Sequence, residues 1–316
     1  MYYDARYAGD YMTDWPSAEQ HRVRQLLAEV PRGITEVLDY GCGQGAWLQV
    51  LKSQFPDARI TGIDISEHAI TKARLRRLPA RVLTFDGGQA PFEPEAFDLV
   101  FSFHVLEHVW DIDLTVADMA RLVKKGGYVC AVFPCGNHGS FEERVVSLVQ
   151  GGLERSPTGE SRFFYDDPGH LRRMTTREIA DRFAAQGLTS VCALFGNQRW
   201  GSINWIARTG GAWVRQMFDP SRAATRPGKI KLRALRIALL IMSLAVSAAS
   251  ARELRAQFWA SHPRRSRLLL AAAVVVKPLT APIGYLLERA AETEWTKCSH
   301  KPAASAQYLL FRRAGV

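Results

Sequence analysis

From residue 18 to residue 134 the sequence alternates between two hydrophobic rhythms, and that alternation limits what the chain can become. Val23, Leu26, Leu27 and Val30 recur at helical spacing ahead of a short apolar run, "ITEVLDY", which breaks at a glycine-rich turn. "AWLQVLKSQF" reads as the next helix, "ARITGIDIS" as a second strand, "EHAITKARLRR" as a helix and "RVLTFD" as a third strand. "FDLVFSF" is a fourth strand, continuously apolar as strands covered on both faces tend to be. The spacing then predicts a helix over "LTVADMARLVKKGG", closed by glycine, and a fifth strand, "YVCAVFP", stopped by Pro134. A less regular stretch with a turn at "DDPGH" follows, then a helix over 176–186 and a sixth strand, "LTSVCALFG". The last strand, "AQYLLFRRA", arrives only at Ala306. Such a pattern makes an α/β fold with a doubly wound, mostly parallel seven-stranded sheet and a helical insertion before its last strand.

The turn "EVLDYGCGQGAWL" needs a ligand that explains its surroundings. Gly41, Gly43 and Gly45 let the chain turn sharply and approach a ligand, with helix amides facing it. The same residues satisfy a dinucleotide pattern with Ala46 in the last place. The acids decide. Asp39, just before the turn, places a carboxylate where an ammonium group can be held and a pyrophosphate would be repelled. Asp64 ends the second strand, where an acid accepts hydrogen bonds from ribose hydroxyls. Asp86 ends the third, beside Gly87, where an acid can receive an adenine amino group. Each acid alone reads as well as a cap or turn residue; the ordered set describes S-adenosylmethionine.

These residues resemble the class I S-adenosylmethionine-dependent methyltransferases over about residues 1–200 and the last strand. "EVLDYGCGQGAWL" is similar to that family's first motif, "ITGIDIS" to its second-strand acid, and "LTFDGGQAPFEPEAFDLVFSFHVLEHV" to its run from adenine contact to fourth strand. Within the family, the chain is most similar to the group with ubiquinone-biosynthesis O-methyltransferases. The candidate cofactor residues are Asp39, Gly41, Cys42, Gly43, Gly45, Asp64, Ile65, Asp86, Gly87 and Phe103. The expected enzyme methylates oxygen of a small-molecule, lipid-linked, quinol-like or glycan acceptor.

Ligands of such sheets lie at the carboxyl ends of the strands, so the acceptor belongs beyond the fourth strand. There "FHVLEHV" places His104, Glu107 and His108 at spacings that one helical turn brings together, and His170 of "DPGHLRRMT" can approach from the facing loop. In one reading a neutral histidine takes the acceptor's proton. In another the four side chains bind a divalent metal, as in metal-dependent relatives with an acid-x-x-Glu-His pattern, although His104 stands where those relatives have the acid. In a third, Glu107 and His108 only cap and pack the turn. Tyr7, Tyr11 and Trp15 are candidates to fold over the cleft or to form an aromatic patch on the first helix.

Charge divides the chain. Residues 201–316 hold 19 Lys+Arg against 5 Asp+Glu, a balance of +14, whereas residues 1–200 stand at −4. The excess suits an anionic membrane surface or nucleic acid, or a solvated basic face. Against nucleic acid, no Asp/Asn-Pro-Pro-aromatic run follows the fourth strand. Cys135, a candidate nucleophile for a cytosine-carbon enzyme, has no companion motif. A non-catalytic cofactor-binding scaffold is a further alternative, which the intact Asp39, Asp64 and Asp86 oppose.

Three parts result: a cofactor-binding domain over 1–200, a basic helical insertion over 201–304 and a returning strand over 305–316. In the insertion, the runs "IALLIMSLAVSAASA" and "LLLAAAVVVKPLTAPIGYLL" fall short of, or interrupt, the roughly 20 apolar residues a membrane crossing needs. Helices lying among headgroups, a re-entrant hairpin or a buried helical subdomain all satisfy them. Ser243, Ser247 and Ser250 share one face there for close packing. Five cysteines without CxxC pairing suit a reducing compartment, and the expected location is cytoplasmic, peripheral on the inner face of the membrane.

Overall fold

A computed structural model describes residue 7, residues 14–249 and residues 263–315. Helix α1 (Ser17–Leu27) precedes strand β1 (Glu36–Tyr40), and α2 (Leu48–Gln54) leads to β2 (Arg59–Asp64). Helix α3 (Glu67–Leu75) leads to β3 (Arg81–Thr84), then β4 (Phe97–Phe103), α4 (Ile112–Leu122) and β5 (Val123–Pro134) follow. Next come α5 (Phe141–Val146), a small hairpin of β6 (Leu153–Arg155) and β7 (Ser161–Phe163), α6 (Thr176–Ala185) and β8 (Leu188–Gly196). The insertion contains α7 (Trp200–Thr209), α8 (Gly211–Met217), α9 (Arg226–Ala249) and α10 (Pro263–Cys298), and β9 (Ala306–Arg313) returns to the sheet.

The seven-stranded sheet runs β3-β2-β1-β4-β5-β9-β8, with β9 antiparallel to both neighbours and the rest parallel. Strand order reverses between β1 and β4, and a crevice opens at such a switch point beyond the strand ends. Period-two alternation builds a core on each face: along β4, Leu99, Phe101 and Phe103 join Leu27, Trp47 and Tyr308, while Val100 joins Met119, Phe133 and Phe311 on the other side.

The helix expected over "LTVADMARLVKKGG" ends earlier than its glycines. Asp111 starts it by accepting from the amides of Asp113 and Leu114, and it stops at Leu122, where the chain turns straight into β5. Gly126, at φ +76°, sits inside β5, whose pairing with β4 shifts register between Phe97 and Leu99. Lys124 on this stretch reaches Asp98, 2.8 Å away, so the segment is anchored as strand edge rather than helix. The irregular stretch before α6 holds α5 and the β6–β7 hairpin, too short for periodicity to reveal. Arg173 lies buried there between Asp166 at 2.6 Å and Glu142 at 3.3 Å.

The insertion folds onto a third core. Val145 of α5, Ile206 of α7, Val214 of α8, Leu232 and Leu239 of α9 and Leu287 of α10 pack together. Helix α7 has no side-chain cap of its own; Glu294 of α10 accepts from the amides of Arg199, Trp200 and Gly201 at 2.8–3.0 Å. Trp295 packs beside Tyr308 of the sheet. Among the described residues no helix is long and apolar enough to cross a membrane. Ser243 is buried on α9; Ser250 lies outside the described residues, as does the side chain of Ser247.

Candidate active site

At the switch point the glycine turn is pinned to the end of β2. The amides of Gly41 and Cys42 both donate to Ile63 O at 2.8 Å, and that of Gly43 donates to Asp64 Oδ2 at 2.8 Å. The other Asp64 oxygen accepts from the Ser66 amide at 2.8 Å, so this acid holds the turn while facing the crevice. Gly41 takes φ +83°, and a Cβ there would lie 2.2 Å from Val105 Cγ2, so only glycine leaves this approach open.

The crevice is a cavity of about 740 Å³ whose wall includes Tyr7, Gly41, Asp64, Ile65, Asp86, Gly87, His104 and His108. The other sequence-derived candidates stand behind that wall. Cys42 turns its thiol against Gly62 in the core, and burial, then Asp39 and Asp64, push it far above the usual thiol range. Its amide donates to Ile63 O, so in this structure Cys42 packs in the core behind the turn. Phe103 likewise packs between Trp15 and Trp47, with ring centroids 4.6 and 4.5 Å away. Gly43 and Gly45 shape the turn at φ +52° and +81°. Asp39 is 1% exposed, and neither carboxylate oxygen has a hydrogen-bond partner among the described residues. Burial first, then the charge of Asp64, raises its carboxyl well above the usual range.

A brace that was not legible in the sequence lies beside Asp86 and Gly87. Asp118 of α4 accepts from the Ala90 amide at 3.0 Å and from Arg121 at 2.7 Å, while Arg121 donates to Ala90 O and Phe92 O. The loop carrying Asp86 and Gly87 is thereby fastened to α4. Asp118 and Arg121 are three apart on one helix, the only local signal of that pairing.

At the other end, His104 takes φ +55°, a strained conformation for a residue with a side chain, at the tip of β4. Its ring stacks on Trp15 at 5.4 Å and 5° between planes, and its Nδ1 lies 2.6 Å from Glu107 Oε1. Glu107 is fully buried. Burial pushes its carboxyl up, but the charge and hydrogen bond of His104, then His108 and His170, outweigh it and hold it at about 2. His108 donates through Nδ1 to Gly169 O at 3.0 Å, and its ring meets His170 at 4.6 Å. Burial, the largest effect, keeps His170 well below the usual imidazole range despite the opposing pull of Glu107. His170 reaches the cluster from behind the wall, as the "DPGH" loop allows.

Glu107, His108 and His170 each offer one ligand atom within 4.8 Å of the others, and Glu107 Oε2 and His170 Nδ1 lack hydrogen-bond partners among the described residues. These three can hold a cation; His104, the fourth side chain of the metal reading, is bonded to Glu107. Another feature missed in the sequence is Arg172, 2% exposed, which donates to the carbonyls of Leu106, Val109 and Trp110 and to Glu160. It clamps the turn that carries the histidines. Tyr7 lines the cavity, Trp15 stacks on His104 and packs against the first core, and Tyr11 lies outside the described residues. Cys135 is 1% exposed, and burial pushes its thiol up to about 11, which removes it as a nucleophile.

The groups present fit S-adenosylmethionine: a turn that only glycine can form, an unpartnered acid behind it and acids at the tips of β2 and β3. Residues 38–131 match the family described as "Methyltransferase domain". Trans-aconitate 2-methyltransferase of Deinococcus radiodurans is 28% identical over 49% of this chain and 59% of its own length. Ubiquinone biosynthesis O-methyltransferase of Thiobacillus denitrificans is 36% identical over 34% of this chain and 48% of its own. The chain thus spans about half the length of these curated relatives. Among solved structures, the [4+2]-cyclase SpnF shares the fold at TM-score 0.50 and 17% identity, covering 96% of this chain and 84% of its own. Phosphoethanolamine N-methyltransferase 2 of Haemonchus contortus does so at TM-score 0.50 and 14% identity, covering 95% and 53%. With the glycine turn, the acids at successive strand tips and the matched segment in agreement, residues 38–131 form a methyltransferase domain similar to those of the class I S-adenosylmethionine-dependent methyltransferases.

Proposed function

We propose that this chain methylates a hydroxyl oxygen of a small-molecule or lipid-linked acceptor, quinol-like or glycan, with His104 as the base. Bound in the crevice, S-adenosylmethionine supplies a methyl group on a cationic sulfur, which needs little further activation. Asp39 is the group to meet its ammonium, Asp64 its ribose, and Asp86 with Gly87 its adenine. The carrying observation is the His104–Glu107 pair. Nδ1–H of His104 donates to a carboxylate that stays ionised, which leaves Nε2 free to accept a proton at the cavity wall. Trp15, stacked on the same ring, fixes its plane, and alignment of this kind supplies much of the rate in a displacement.

The acceptor class is supported by the rim. Trp110 and Leu114 line the cavity yet stand 69% exposed, and Ile65 is 48% exposed, a surface that suits an apolar acceptor drawn from the inner face of a membrane. His104→Ala should lower turnover by roughly 10²- to 10⁴-fold while leaving S-adenosylhomocysteine affinity unchanged by calorimetry. Retained turnover would end the base assignment. The acceptor itself is sought as a mass shift of one methylene between lipid extracts of cells with and without the protein. A second reading is favoured by the unpartnered Glu107 Oε2 and His170 Nδ1: a divalent cation held with His108 that orients acceptor oxygens. Metal analysis of the purified protein before and after chelation separates the two.

A further inference from the structure

Helix α9 presents two unlike faces. Leu232, Leu239 and Val246 point into the third core, while Ile230, Ile237 and Ile241 stand 70, 62 and 58% exposed. Spacings of seven and four residues bring those isoleucines within an arc of about 40° at 3.6 residues per turn. No acid occurs anywhere in the helix. Along one side of the isoleucine row, Lys229, Arg233 and Arg236 line a surface hollow of about 450 Å³ together with Asp219 and Ser221. Asp219 stands 4.0 Å from Arg236, whereas Lys229 and Arg233 have no acidic partner among the described residues. Lys231 is exposed on the other side of the row.

We propose that this face of α9 docks in the plane of an anionic phospholipid bilayer, the isoleucines entering the headgroup boundary and the hollow receiving a lipid phosphate. Apolar side chains in a row between cations match such a surface in both respects: burial of carbon and neutralisation of phosphate. The helix lies flat because its opposite face is committed to the core. A single-stranded nucleic acid would call for aromatic platforms between the cations, and isoleucine offers no face on which a base stacks. The proposal deepens the reading of a lipid-linked acceptor, since it places the protein where such an acceptor is held.

The test uses the full chain and co-sedimentation with phosphatidylcholine vesicles, with and without phosphatidylglycerol. The wild type should sediment only with the anionic vesicles. Lys229→Gln/Arg233→Gln/Arg236→Gln should weaken partitioning about fivefold per charge, or roughly a hundredfold together. Ile230→Ser/Ile237→Ser/Ile241→Ser should weaken it at least tenfold with every charge retained. S-adenosylhomocysteine affinity should be the same in all three proteins. Wild-type sedimentation of either variant overturns the proposal, as does tighter binding to polyuridylate than to the vesicles. Vesicle binding requires no turnover, so failure here leaves the His104 chemistry standing, and failure of His104→Ala leaves this face standing.

Discussion

The two ends of the cavity are made of different materials. At the glycine end the wall is backbone: Gly41 lines it and Gly43 and Gly45 shape the turn behind it, all three at positive φ, with amides tied to Ile63 O, Asp64 and Cys42 O respectively. At the histidine end they are side chains: His104 held by Trp15 and Glu107, on a turn whose carbonyls Arg172 gathers from more than sixty residues away. A backbone wall tolerates almost no substitution because a single Cβ fills it. A side-chain wall depends on partners, and its failures should be graded.

Gly41→Ala attacks the first kind of wall and should have the largest effect. The new Cβ would sit 2.2 Å from Cγ2 of Val105, a stiff β-branched side chain, at φ +83°. Left-handed strain of about 1–2 kcal/mol plus overpacking of about 1–3 kcal/mol predicts S-adenosylhomocysteine binding about thirtyfold weaker or more by calorimetry. Binding within threefold of wild type would show that the turn is less rigid than its geometry implies.

Arg172→Met attacks the second kind at a distance from the reacting atoms. Buried carbonyls lose their donor and Glu160 its partner, so stability should fall by about 3 kcal/mol, read by denaturant unfolding. At a temperature where the variant is folded, kcat should drop about tenfold or more with little change in cofactor affinity, because the displaced turn carries His104 and not the glycines. Equal losses in both would mean that the two ends are not independent.

That independence also explains what could be read from the sequence. The order of strands and helices, the acids at strand tips and the glycine turn are local patterns, each written in consecutive residues. Strand β4 appeared at its observed bounds because an uninterrupted apolar run has few other uses. The early end of α4 was hidden because Lys124 and Gly126 serve a bulged strand only in the presence of β4 and Asp98. That Cys42 and Phe103 turn their side chains to the core was illegible for the complementary reason: sequence position shows proximity to the turn but not which way a side chain points. Arg172 and the Asp118–Arg121 brace left little signal because most of their partners are backbone groups of distant loops, which leave no trace in side-chain identity.

Asp39 sharpens the comparison from the glycine end, with a smaller effect. Its carboxyl is raised, by burial first and by Asp64 second, so between the ordinary carboxylate range and its raised value the folded chain binds more protons than the unfolded one. Stability contributed by that proton is complete below the unfolded value and is lost as pH climbs, by up to about 1.4 kcal/mol per pH unit. Asp39→Asn should remove this slope, so the variant gains on the wild type as pH rises above the ordinary carboxylate range in thermal unfolding without ligand. The same substitution should weaken cofactor binding most at high pH, where an ionised partner for an ammonium matters. A wild-type profile parallel to that of the variant would show that Asp39 is already ionised in the free protein.

The smallest effect is expected at Cys135, which lies just past β5 and tests whether a third kind of chemistry hides beside the two walls. Its thiol is buried, pushed up to about 11 by that burial, and already accepts the amide of Asn137 at 3.4 Å. A thiol so placed is almost wholly protonated at neutral pH and screened from reagents. Iodoacetamide in the folded protein should therefore modify the half-buried Cys192 and Cys298 well before Cys135, as read by peptide mass mapping. Cys135→Ala should change turnover less than twofold. Rapid labelling of Cys135, with loss of activity on its removal, would reopen covalent catalysis and displace His104 from the centre of the mechanism.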